Sequence, residues 1–85
     1  MKYVVFYDLA ENARELAMKH FPAHRTRLDE FLDRGLLLQV GTFTDEPMGA
    51  MAVFATREAA EEFMAGDPFL AHGVVGRRQV REWDA

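Results

Sequence analysis

The sequence predicts an α+β protein with the element order β-α-β-β-α-β, and three observations point to it. Four short runs rich in β-branched and aromatic residues, Tyr3–Tyr7, Leu36–Phe43, Met48–Ala55 and Val74–Trp83, read as strands. Apolar residues at helical spacing fall between the first and second runs and between the third and fourth. Thr44-Asp45-Glu46-Pro47 is a short turn, so the middle two strands should form an antiparallel hairpin. This order is the split βαβ, or ferredoxin-like, arrangement: a four-stranded antiparallel sheet with helices on one face.

The first helix is expected from Pro22 to Gly35. Proline suits the first helical position, where its missing N–H would be unpaired anyway, and glycine suits the left-handed turn that ends a helix. Leu28, Phe31 and Leu32 share one face, with His24 one turn before Leu28; Arg25, Arg27, Asp29, Glu30, Asp33 and Arg34 point outward. The preceding segment, Asp8 to His20, has Ala10, Ala13, Leu16 and Ala17 at helical spacing, with Asn12 as a candidate cap. Because Pro22 biases Phe21 away from helical angles, this segment reads as an irregular or briefly helical lead-in, separate from the helix that follows. Thr56 is the expected N-cap of the second helix, with Glu58 in its first turn and Ala59, Ala60, Phe63 and Met64 on its buried face. Asp67 to Gly73 repeats the start and stop signals in miniature: Asp as cap, Pro68 first, Gly at the end. The last strand is more polar and belongs near an edge.

Alternate residues of a strand face opposite sides of the sheet. Tyr3, Val5 and Tyr7 face one way in the first strand, and Val4 and Phe6 the other; Ala50, Ala52 and Phe54 oppose Met51, Val53 and Ala55 in the third. Both faces are apolar, yet two helices cover only one. A second copy of the chain, packed sheet against sheet about a two-fold axis, is the simplest cover, so a homodimer is expected.

At 85 residues the chain should be one domain, 1–85. It has no cysteine, which removes disulfides, thiolate metal sites and a cysteine nucleophile. Its formal charge is −4, and its basic residues do not gather with aromatics on one element, so no nucleic-acid partner is expected. The apolar run at the N-terminus ends at Asp8, too short for a signal-peptide core, and no stretch has the length of a membrane span. A cytoplasmic protein that meets no membrane is the expectation.

Two residues stand out chemically. His24 is either a neutral core histidine bonded to a backbone carbonyl or a general base or acid, since an imidazole titrates in the working range. Asp67 is accounted for as a helix cap, yet a capping carboxylate has a second oxygen to offer. His20 and His24 are four apart, a spacing that places metal ligands on one helical face. Pro22 between them is expected to break that register, and too few further ligands are evident for zinc, so no metal is expected. There is no Gly-rich phosphate loop and no nucleophile elbow; no cofactor is expected. Met48, Met51 and Met64 read as packing residues, and His72 as a surface residue before Gly73.

Pro22-Ala23-His24 with Leu28, Gly35-Leu36-Leu37-Leu38 running to Gly41, Glu58-Ala59-Ala60, and above all Asp67-Pro68-Phe69-Leu70-Ala71-His72-Gly73-Val74 together resemble the YCII-related (YciI-like) family. The correspondence runs in order through nearly the whole chain. It implies a ferredoxin-like protomer, a dimeric α/β barrel, and an active site built on a His–Asp pair, with His24 and Asp67 at the matching positions. Family members often carry Gly-Pro where this chain has Gly41-Thr42, and its turn between strands two and three is shorter than in longer members; both bear on the pocket rim, so no substrate carries over. The expected function is cofactor-independent proton transfer on a small, partly apolar organic molecule by elimination, isomerisation or hydrolysis, with His24 as base or acid and Asp67 orienting it. A non-catalytic small-molecule-binding domain, in which the same pair only positions a ligand or holds a turn, is the alternative. In either case the pocket should lie between the helices and the sheet.

Overall fold

The structure, a computed structural model, describes residues 1–85. Strands β1 (Lys2–Leu9), β2 (Leu37–Thr42), β3 (Gly49–Phe54) and β4 (Val75–Trp83) form one antiparallel sheet in the order β2-β3-β1-β4. Helices α1 (Arg14–Asp33) and α2 (Arg57–Ala65) supply the two connecting helices, and a single turn, α3 (Pro68–Ala71), precedes β4. The β-α-β-β-α-β order is therefore the ferredoxin-like one, and β4 lies at an edge as its polarity predicts.

The first helix departs from expectation. It does not begin at Pro22: it is one element of 20 residues with Pro22 inside it. An interior proline removes one hydrogen bond, here the one that the Met18 carbonyl would accept. Met18 is 71% exposed and Pro22 is exposed too, so water can donate to that carbonyl in place of the missing N–H. The proline thus sits where breaking the ladder costs least. Asn12 is not a cap either: the helix starts at Ala13 with no side-chain cap, and Asn12 has φ +58°, a left-handed turn that asparagine tolerates.

The other end follows the sequence signal. Gly35 has φ +72°, its N–H donates to the Leu32 carbonyl and that of Leu36 to Phe31, which closes the helix in a Schellman turn. Thr56 caps α2 by accepting from the Ala59 N–H. Arg27 of α1 closes the far end of α2, donating to the carbonyls of Glu62 and Phe63.

The core lies between the helices and one sheet face. Phe31, Phe54 and Phe63 meet there, Phe31 edge-on to the other two, with Val5, Leu28, Leu37, Ala52, Ala59 and Ala60 around them. The opposite face carries Val4 beside Val53 and Phe6 beside Met51, flanked by Gln79 and Arg81 of β4. No helix is long and apolar enough to cross a membrane.

Candidate functional site

His24 and Asp67 are the only buried polar or charged residues, at 8% and 2% exposure. His24 sits on the core-facing stripe of α1 with Leu28 and Phe31. Phe69 lies flat against its ring, centroids 3.8 Å apart, and Phe63 meets it edge-on. Asp67 is fixed from the other side as the N-cap of α3, its Oδ1 accepting from the Phe69 N–H at 3.1 Å.

The same oxygen is 2.6 Å from His24 Nδ1. Cap and histidine contact thus fall on one oxygen of the carboxylate, not on its two oxygens as the sequence suggests. Oδ2 accepts from the Tyr7 hydroxyl at 2.7 Å. Three donors therefore surround a side chain with no exposed surface, which is what a buried carboxylate requires.

This network assigns the imidazole tautomer. An ionised carboxylate only accepts, so Nδ1 carries a proton and donates to Oδ1. No buried side-chain nitrogen or oxygen lacks a partner, and Nε2 bonds to nothing in the protein, so Nε2 is the ring atom left open to solvent. It opens into a cleft of about 590 Å³ between α1 and the β1–β3 side of the sheet, lined mainly by apolar side chains. Tyr7, Leu28, Val40, Ala50 and Phe69 form its inner wall. Leu9, Met18, Phe21, Phe43 and Met48, all large and well exposed, ring its mouth. Met48 is thus a rim residue, 42% exposed, and not the packing residue its strand position suggests. Asp8 and Arg25 are the charged groups at the rim.

Tyr7 is the site residue that sequence reasoning missed. The alternation of β1 places it inward, and a buried phenol needs a hydrogen-bond partner, which was the available signal. Burial first, then the charge of Asp67 and its hydrogen bond, raise the phenol far above its ordinary range, against smaller effects of Arg78 and Arg27. It therefore stays a donor.

His20 and His24 keep their helical spacing, since Pro22 does not break α1, but they do not converge. His20 stacks on His72 with ring centroids 3.9 Å apart, so His72 is exposed yet held. Partial burial and the neighbouring His72 and Lys19 lower the His20 pKa. No group of three or more His, Asp or Glu side chains is arranged to hold a metal ion.

A four-stranded antiparallel sheet with both helices on one face is the ferredoxin-like fold, and solved structures of that fold match this chain. A 5-chloro-2-hydroxyhydroquinone dehydrochlorinase (TftG) from Burkholderia phenoliruptrix AC1100, in complex with 2,5-dihydroxybenzoquinone, is similar with TM-score 0.81 and 16% identity over 99% of this chain and 94% of that one. An antibiotic biosynthesis monooxygenase matches with TM-score 0.60 and 20% identity over 100% and 98%. SnoaB, a cofactor-independent oxygenase from Streptomyces nogalater, matches with TM-score 0.53 and 15% identity over 99% and 92%. At such identities these likenesses establish the fold alone. The family follows from sequence: residues 1–84 match the YCII-related domain, and the chain belongs to that family. No curated protein matches it.

Proposed function

We propose that this chain is a small cofactor-independent enzyme that moves a proton on a small, largely apolar organic molecule, with His24 as general base or acid and Asp67 as its orienting partner. The observation that carries this is the buried His24–Asp67 contact with Nε2 left facing an apolar cleft. A carboxylate on Nδ1 fixes the tautomer and stabilises the imidazolium formed when Nε2 takes a proton. The same Nε2–H can then protonate a departing group or a neighbouring carbon, which completes an elimination or an isomerisation. The aromatic and aliphatic walls suit a small ring or a similarly apolar skeleton. The similar structures are a dehydrochlorinase and two oxygenases, which supports small-molecule chemistry in this fold without fixing the reaction.

Residues 1–85 would act as one domain, in the cytoplasm, without nucleic acid or membrane, and as a homodimer paired through the helix-free sheet face.

The test is turnover of small hydroxylated or halogenated aromatics and small lactones by the wild type and by His24→Asn, whose amide keeps a donor within reach of Asp67. The substituted protein is expected to stay folded and to lose about 10²–10⁴-fold in rate while still binding the substrate. Binding by both proteins, with no turnover of any of these compounds by either, would instead identify a ligand-binding domain.

A further inference from the structure

Tyr7 reaches the site from β1, across from the helix that carries His24. Its side chain is 8% exposed, and its hydroxyl has one partner, Asp67 Oδ2. The carboxylate's two oxygens are thereby divided: Oδ1 serves His24 and the Phe69 N–H, and Oδ2 serves Tyr7 alone. A carboxylate held at both oxygens cannot turn about its own axis, so Oδ1 stays on Nδ1. The phenol also takes up part of the carboxylate's charge. An anion already hydrogen-bonded holds a neighbouring cation less strongly.

We propose that Tyr7 is a positioning residue: its hydroxyl locks the Asp67 carboxylate against His24 and shares its charge, so that the imidazolium more readily gives up the proton on Nε2. This inference rests on His24 as the proton-transfer group. Without Tyr7, Oδ2 would be a buried anionic atom with no donor, and the carboxylate would hold the imidazolium more tightly. The phenol is suited to the task because it does not ionise in the working range. The other charged groups near the pair are Arg27 on α1 and Arg78 on β4, with Asp8 and Arg25 at the rim. The remaining elements packed against it present Phe63, Phe69, Val40 and Ala50, none of which titrates.

The experiment follows the His24 ring signals by NMR across pH, with His20→Asn and His72→Asn proteins identifying which of the chain's 3 histidine signals is His24. Tyr7→Phe is expected to raise the His24 midpoint by about one pH unit relative to the wild type, the size of a partly lost charge-assisted hydrogen bond. A residue that only filled space would change the melting temperature and leave the midpoint where it was. If Tyr7→Phe does not fold, 3-fluorotyrosine in place of the chain's 2 tyrosines supplies a more acidic phenol and a stronger donor, and the midpoint is expected to fall. A midpoint that stays put or moves the other way, in the folded variant or in the fluorinated protein that replaces it, overturns the proposal. The catalytic reading fails separately: a midpoint that shifts as expected in a protein with no turnover keeps the role of Tyr7 and removes that of His24.

Discussion

At the scale of single residues, Asp67 is the joint on which the site hangs. It caps α3, holds His24 and receives Tyr7, all without exposed surface. Asp67→Ala strands three donors at once and is expected to lower unfolding free energy by about 3–5 kcal/mol, at about 1–3 kcal/mol for each buried donor left without an acceptor. Asp67→Asn should cost only about 1 kcal/mol, because its oxygen still accepts from Phe69 and His24 while its NH₂ can donate to the Tyr7 oxygen. Urea denaturation of the two variants checks the contrast, and equal losses would mean that an isosteric amide cannot replace the carboxylate as acceptor for these three donors. His24 and Asp67 were legible in the sequence for different reasons. An imidazole on an otherwise apolar helical stripe is conspicuous, and Asp-Pro announces a cap. Their contact was not legible from composition or spacing, because 43 residues separate them and only the packing of α3 against α1 closes that distance. Tyr7 was hidden more thoroughly. In a run such as Tyr3-Val4-Val5-Phe6-Tyr7 alternation says which side chains face inward, but nothing in the run says that one inward hydroxyl meets a carboxylate.

At the scale of elements, the strands, the hairpin and α2 follow from local signals, since β-branched runs, a Thr cap and helix-ending glycines act within a few residues. The first half of α1 does not. Read locally, Pro22 starts a helix; in the fold it is carried through one, because the affected side of α1 faces water and the His24-Leu28-Phe31 stripe is anchored on the core. Tertiary packing outweighs the local cost. Pro22→Ala should therefore restore a hydrogen bond to the Met18 carbonyl and stabilise the protein. An interior proline costs about 3 kcal/mol, and its restriction of the unfolded chain returns up to about 1 kcal/mol, so a gain of about 2 kcal/mol is expected. A higher urea midpoint with unchanged His24 NMR signals would establish it; a loss of stability would mean that the proline ring itself helps to seat His24 under Phe69. Arg27 extends the same economy between elements. By holding the last carbonyls of α2, it fixes the segment from which Asp67 emerges, and a Cβ at Gly66 would come within 2.6 Å of its guanidinium.

At the scale of the whole molecule, the sheet has two apolar faces and helices for one. The helix-free side pairs Val4 with Val53 and Phe6 with Met51 at the centre of the sheet, with Gln79 and Arg81 along one side. An apolar centre beside a polar margin is the anatomy of an interface, and a domain of this length buries too little of its own surface to be robust alone. Association also bears on the site. Tyr7 follows Phe6 on β1, and Ala50, in the cleft wall, precedes Met51 on β3, so the strands that would meet a second copy are those that build the cleft floor. Sheet-to-sheet pairing would stiffen that floor from behind without placing the partner in the cleft. Light scattering at low micromolar concentration should accordingly give twice the 9.7 kDa of one chain. Met51→Lys, which sets a charge at the centre of the apolar face where the isolated chain can still hydrate it, should give the single-chain mass with native secondary structure. It should also lower the melting temperature, and that temperature should no longer depend on protein concentration. A wild type that is cleanly monomeric would sink the homodimer and leave the apolar face without a cover; a Met51→Lys protein that still pairs would move the interface to another surface.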